Sequence, residues 1–485
     1  MKRLSALLAL SALGACSMDP HYTRPTPAAP PNWPQGDAYL RQSEAPLPSL
    51  SYRDVFRDAR LQALVEQALA NNQDLRQALA NIQSARALYR VQRAEIFPEI
   101  DASGGVTVRR GSSQGTASGG SAGGSGNRDK TTTTYDVQAG TTAWEIDLFG
   151  RLRSLNRSAF NQYLASEAAA RATRLTLVAD IADAWLTLAA DRSLLRIAED
   201  TEKSAQTSVE LTQARLDGGV APRTDLRQAQ TVLATAQADR ARQTTLVAQD
   251  INALQLLVGG PVADNLLPSA IEDADAQLAE LPVGLDSSIL LRRPDVVEAE
   301  YQLRAANARI GAARAAFFPR ISLTAVAGLA STALSSLFTG GAFSWTVAPS
   351  ATLPIFDGGA NAGNLAYAKA QRESYLAVYQ KTIQTAFREV SDALARRGTI
   401  DAEMRADQLN AAAAEDTLTL GMARYRQGID PYLSTLDAQR TFYAARQRVA
   451  GIRLTKAQNL VELYRALGGD QRVEALPPAS AGTGK

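Results

Sequence analysis

The stretch Ala423–Arg440, ARYRQGIDPYLSTLDAQR, has an echo at Ala214–Gln230, ARLDGGVAPRTDLRQAQ. Each enters through Ala-Arg, turns at glycine, meets a proline and restarts with a polar helical pattern. A chain that makes the same sharp helical turn twice carries an internal duplication, and the duplication limits the architecture before any site is considered. The flanks repeat as well. Phe317-Phe318-Pro319 matches Ile96-Phe97-Pro98, and Pro354-Ile355-Phe356-Asp357-Gly358-Gly359 stands in the place of Ile146 to Gly150.

Within each repeat the apolar period changes. Leu61, Leu64, Val65, Ala68, Leu69, Leu75, Leu79 and Ile82 recur at spacings of three and four, which predicts a helix over 61–96 that ends at Phe97-Pro98. Then Ile100, Ala102, Gly104, Val106 and Val108 alternate with polar or small residues, as do Tyr135, Val137, Ala139, Thr141 and Ala143. The second repeat has the same pair, through Ile321, Leu323, Ala325, Ala327 and Leu329 and through Phe343, Trp345, Val347, Ala351 and Leu353. Strands of about ten residues are long enough to cross a membrane at a tilt. The Gly, Ser and Thr stretch 111–134 lacks a phosphate-binding glycine motif and is expected to be an external loop. After each hairpin comes a helical run of roughly 65 residues, about 100 Å long. Its seam, such as Leu175, Val178, Ala182, Trp185 and Ala189, is that of a coiled coil.

Four strands are too few for a closed barrel, and an open sheet in lipid leaves edge amides unsatisfied at several kcal/mol each. The barrel must therefore be shared between copies, and three copies of the chain give about twelve strands. The fold class expected is mainly α with membrane β. It is a trimeric outer-membrane barrel with four strands per chain, continued by a long periplasmic α-helical barrel.

The N-terminus places the chain. Lys2 and Arg3 precede the apolar run Leu4–Leu13, too short for a permanent span, and Leu13-Gly14-Ala15 leads to Cys16, the single cysteine. One cysteine cannot form an internal disulfide, and this placement resembles a bacterial lipobox, with covalent lipid on Cys16. Ser17, rather than Asp, is compatible with export to the outer membrane. The expected division is a signal peptide over 1–15 and a proline-rich tether running extended over 16–60. The repeats follow at 61–260 and 291–470, separated by a linker over 261–290, with a disordered tail over 471–485. The formal net charge of +2 and an even distribution of charge exclude a nucleic-acid partner. His21 is the only histidine and lies in the tether, and there is no metal spacing or nucleophile motif. The chain is thus expected to be neither an enzyme nor dependent on a cofactor.

WEIDLFGR at Trp144–Arg151, LLRRPDVVEAEYQLRAANARIGAARAAFFPRISL at Leu290–Leu323, PIFDGG at Pro354–Gly359, the lipobox and the turn at Ala423–Arg440 occur in one order. Together they resemble the TolC-like outer-membrane factors, in particular the OprM/NodT lipoprotein branch of tripartite RND drug efflux pumps. The resemblance covers about residues 50 to 470. It implies a homotrimer in the outer membrane that works with a periplasmic adapter (membrane fusion) protein and an inner-membrane RND transporter. It also implies a periplasmic gate at Tyr425, Leu433, Asp437 and Arg440, in which Leu433 and Asp437 narrow the pore and Tyr425 and Arg440 link neighbouring helices. The tip residues Gly218, Gly219, Val220, Asp225, Leu226 and Gly428 would meet the adapter. Leu433 and Asp437 are four apart and share a helix face; Asp437 and Arg440 also fit a plain surface ion pair. A duct for type I protein secretion shares the fold. A trimeric coiled-coil adhesin or structural lipoprotein would lack the paired membrane strands.

Overall fold

The computed structural model describes residues 18–30, 32–34, 36–39, 51–111, 130–279 and 287–469. The signal peptide, Cys16, the glycine-rich stretch 112–129 and the tail beyond 469 lie outside the described residues. In order, the elements are α1 (Tyr52–Val55), α2 (Ala59–Asn71), α3 (Gln73–Ala94), β1 (Asp101–Gly111), β2 (Lys130–Glu145), α4 (Arg151–Asp217) and α5 (Arg223–Val258). The second half holds α6 (Ile271–Asp275), α7 (Pro294–Ala315), β3 (Arg320–Ser331), β4 (Phe343–Thr352), α8 (Ala360–Arg426) and α9 (Tyr432–Ala466). The duplication is visible in the lengths: α4 and α8 have 67 residues each, and α5 and α9 have 36 and 35. At 1.5 Å per residue, α4 and α8 are each about 100 Å long.

The chain forms two compact units that cut across the sequence repeats, one built from residues 18–24, 84–164 and 301–376, the other from the remaining described residues. The first unit contains a single antiparallel sheet in the order β1-β2-β3-β4. Residues directly opposite each other on antiparallel strands share a face. Val106 faces Tyr135, Val137 faces Leu329, Ala327 faces Trp345 and Ala325 faces Val347, so one face is apolar. Ser103 opposite Gln138 and Val326 opposite Thr346 lie on the other, mostly polar and small face. Between Thr141 and Trp144 the register shifts, and Ala143 takes a left-handed φ of 56°. That bulge returns Trp144 to the apolar face, opposite Leu323, and its indole N–H donates to the Ile96 carbonyl at 3.1 Å. Every residue of β4 is exposed. Among the described residues neither β1 nor β4 has a second strand neighbour.

Four expectations change. The helix over 61–96 is two helices, because Asn72 leaves the helical conformation; its Oδ1 accepts from the Leu75 amide and its Nδ2 donates to the Leu257 carbonyl, both at 2.9 Å. Apolar spacing alone does not register a cap inside an unbroken stripe. The external loop starts later on its far side, since Thr131–Thr134 pair with Arg110–Thr107 inside the hairpin; an all-threonine run favours a strand but shows no alternation. The segment 261–290 is packed: the Leu266 carbonyl accepts the Trp185 indole N–H at 3.1 Å, and Ile271 and Ala274 are buried. The proline-rich segment is also held. In the first unit the Asp19 carboxylate accepts from Ser154 Oγ and Arg157 Nε, each at 2.6 Å, while Asn307 Nδ2 donates to the Pro20 carbonyl at 2.8 Å. In the second unit Trp33 is buried and stacks on Phe387 with centroids 5.0 Å apart.

Candidate functional site at the helical tips

The two turns that echo in the sequence close in the same way. After α4, the Gly219 amide donates to Leu216 and the Val220 amide to Arg215, both at 2.9 Å. After α8, the Gly428 amide donates to Tyr425 at 2.9 Å and the Ile429 amide to Arg424 at 3.0 Å. Gly219 and Gly428 have φ of 69° and 71°, the left-handed conformation such a helix stop requires. Pro222 and Pro431 then open the next helices with φ fixed near −75° and −71°.

Between the tips lies a small core of Ala229, Tyr425, Tyr432 and Leu436, with Val209, Leu211 and Val232 packed against it. The rings of Tyr425 and Tyr432 are tilted by 60° with centroids 5.2 Å apart. Arg215, from the end of α4, reaches across: its guanidinium lies 4.8 Å from the Tyr425 ring centroid and Nη1 donates to the Tyr425 carbonyl at 3.0 Å. A desolvated cation over an aromatic face contributes about 1–2 kcal/mol. Burial raises the Tyr425 hydroxyl, which has no hydrogen-bond partner among the described residues; the Arg215 charge opposes the shift and Asp225 adds to it. Burial pushes Tyr432 up to about 12, although its hydroxyl hydrogen-bonds Gln439 at 3.3 Å. Gln439 Nε2 in turn donates to Ser208 on α4 at 2.8 Å. Further up α9, Tyr443 donates to Asp239 of α5 and Arg446 to Asp200 of α4, each at 2.8 Å.

The start of α9 is thereby divided. Tyr432, Thr435, Leu436 and Gln439 are buried, whereas Leu433, Asp437 and Arg440 are exposed, with Leu433 at 60%. Spacings of four and three place these last residues on one outward stripe. Among the described residues neither Asp437 nor Arg440 has an ion pair or hydrogen bond, so the plain surface pair between them is not formed. Tyr425, grouped with them in the sequence, belongs to the inner core instead. At the first tip Gly218, Gly219 and Val220 are exposed and Asp225 is half-buried, with burial raising its carboxyl against the Arg215 charge. Leu226 is buried and faces inward, so it supports the tip from beneath rather than presenting a surface.

Three contributors escaped the sequence reading: Arg215, Tyr432 and the pair Arg424–Asp430. Arg424 Nε and Nη2 donate to the Asp430 carboxylate at 2.6 and 2.9 Å, which holds that carboxyl below the usual range and braces the second turn. A signal was present, since the repeated Ala-Arg entry puts Arg215 and Arg424 at equivalent positions. The partner of each depended on folding. Arg424 turns to its own loop, and Arg215 to the other tip.

Residues 64–260 and 285–469 match the family described as outer membrane efflux protein. The antibiotic efflux pump outer membrane protein ArpC of Pseudomonas putida is 43% identical over 487 residues, 99% of each chain. The toluene efflux pump outer membrane protein TtgC of the same species matches equally well, at 43% identity and 99% coverage of each. Among solved structures, the open state of the MtrE outer membrane channel of Neisseria gonorrhoeae superposes with a TM-score of 0.82 at 34% identity, covering 94% of this chain and 98% of that one.

Proposed function

This chain belongs to the outer membrane efflux protein family, and from that premise we propose that three copies form the passive exit duct of a tripartite drug efflux pump. The observation that carries the trimer is the sheet. It has four strands, two unpaired edges among the described residues and no cover over β4, an arrangement that needs lipid on its apolar face and another strand at each edge. Three copies would close about twelve strands around a polar lumen. The helices, about 100 Å each, would continue the duct through the periplasm.

At the tips, Leu433 and Asp437 would form stacked rings around the three-fold axis, with Arg440 on the same stripe and Tyr425 holding each copy's two tips together through Arg215. The exposed turn at Gly218, Gly219, Val220 and Gly428, with Asp225 beside it, would dock a periplasmic adapter, which couples the duct to an inner-membrane RND transporter. Relatives named for antibiotic and for toluene efflux are equally similar to this chain, which fits a duct that receives compounds already selected upstream. Deleting the gene is expected to raise the steady-state accumulation of several unrelated toxic compounds in cells, read by uptake of fluorescent substrates. Unchanged accumulation across such a panel, with other efflux ducts also deleted, would sink the reading. Covalent lipid on Cys16 is a separate expectation: labelled palmitate should enter the wild-type protein and not a Cys16→Ser variant, and equal labelling of both would overturn it.

A further inference from the structure

The duplication makes a further contact legible. Inside one copy, the end of β2 docks on the start of β3. The Ile146 amide donates to the Ile321 carbonyl at 2.8 Å, which carries the pairing beyond the last residues of the ladder. Phe149 then stacks on Phe318 with centroids 4.8 Å apart and planes 20° from parallel. This is the junction where the first repeat's strands turn into α4 and meet the second repeat's helix-to-strand turn.

The reciprocal halves of that junction are also present, and nothing among the described residues covers them. By the repeat, Ile355 stands where Ile146 does, and Phe356 is the aromatic of the same segment. Phe97 and Ile100 stand where Phe318 and Ile321 do, with Pro98 and Pro319 between. Both turns have the same backbone closure, Phe97 to Ala94 at 2.9 Å and Phe318 to Ala315 at 3.1 Å. Yet Ile355 and Phe356 are 87% and 92% exposed, and Phe97 and Ile100 are 60% and 76% exposed. They flank the free edges of β4 and β1, so within one copy they cannot fill each other.

We infer that Ile355-Phe356 of one copy docks on Phe97–Ile100 of a second copy, repeating between copies the junction that Phe149 and Phe318 make within one. The inference rests on the trimeric reading above. The occupant is a second copy because the groove and the plug are both in this chain, and a surface matched to a different patch of itself makes a head-to-tail contact that closes into a ring. The Ile355 amide would donate to the Ile100 carbonyl. The charged part of the internal junction has no counterpart. Glu145 pairs there with Arg151 at 2.7 Å and lies 3.5 Å from Arg320, whereas Pro354 and Glu99 hold the positions of Glu145 and Arg320. The contact between copies would therefore rest on backbone hydrogen bonding and apolar packing, and be insensitive to salt.

The test is crosslinking of the full-length protein, purified in detergent, with a short bismaleimide. The double variant Phe97→Cys/Phe356→Cys is expected to give covalent dimers and trimers on a denaturing gel and nothing larger, because a head-to-tail ring closes. Either single variant should stay monomeric on that gel, and so should Phe97→Cys/Phe343→Cys, which moves the thiol to the far end of β4. Exposed side chains are chosen so that folding of the chain is unaffected. If the double variant runs as a trimer in native light scattering but stays uncrosslinked, the contact is wrong and these residues face lipid. A monomer in native light scattering overturns the trimeric reading itself, and the contact with it.

Discussion

Replacing Gly140 by valine is expected to abolish assembly of the channel in the outer membrane, with little protein recovered in that fraction. A Cβ at Gly140 would lie 2.2 Å from the Ala325 carbonyl oxygen and 2.6 Å from the Val326 Cα. The facing strand has the same requirement, since a Cβ at Gly328 would lie 2.3 Å from the Val137 carbonyl oxygen. Backbone cannot rotate aside as a side chain does, so the two strands would have to separate. The seam in question is β2·β3, the one that joins the hairpin of the first repeat to that of the second. Overpacking of a well-packed core costs about 1–3 kcal/mol, and separation of a strand pair also forfeits ladder hydrogen bonds that lipid cannot replace. Gly104→Ala supplies the control, because a Cβ there would stand 3.7 Å from the nearest atom, an ordinary contact. The two variants are compared by membrane fractionation and by native gel. Normal levels of assembled Gly140→Val would show that the seam opens more easily than its geometry implies.

Those glycines also mark how far the sequence could be read. The alternation around Gly140 and Gly328 announced strands and their apolar face, because a period of two survives any twist of the sheet. It could not announce that the strands approach closely at those positions, since that depends on pairing between segments far apart in the chain. The same division runs through the tips. The glycine and proline signatures of both turns are local, and they folded as local chemistry requires. Which side of α9 faces inward was half legible: Leu433 and Asp437 were assigned to one face from their spacing, and the structure leaves both exposed. Tyr425 was grouped with them by resemblance, but it is buried against Tyr432 and under Arg215. An arginine paired across two hairpins gives no local pattern, so neither its partner nor its role could be read from spacing. The break at Asn72 and the packing of Trp33 failed for a related reason, because each is decided by a distant partner, Leu257 in one case and Phe387 in the other.

The tip makes the second large expectation. The variant Asp437→Ala/Arg440→Ala should raise single-channel conductance of the purified protein in planar bilayers and lower its preference for cations. A ring of three carboxylates concentrates cations and repels anions, so its removal is read in the reversal potential as well as in the current. Leu433→Ala should raise conductance while leaving the ion preference nearly unchanged, since it widens the constriction without altering charge. Arg215→Ala distinguishes what holds the tip closed. Arg215 lies on the inner side, over Tyr425, and its removal leaves the stripe of Leu433, Asp437 and Arg440 intact. It does remove a cation–π contact of about 1–2 kcal/mol and a charge-assisted hydrogen bond. Every 1.4 kcal/mol lost from the closed state alone shifts the open fraction about tenfold. The expected signature is therefore more frequent opening at unaltered selectivity. If Arg215→Ala opens the channel and Asp437→Ala/Arg440→Ala changes neither current nor reversal potential, the gate lies in the packing between each copy's own tips, and the outward stripe is not part of it.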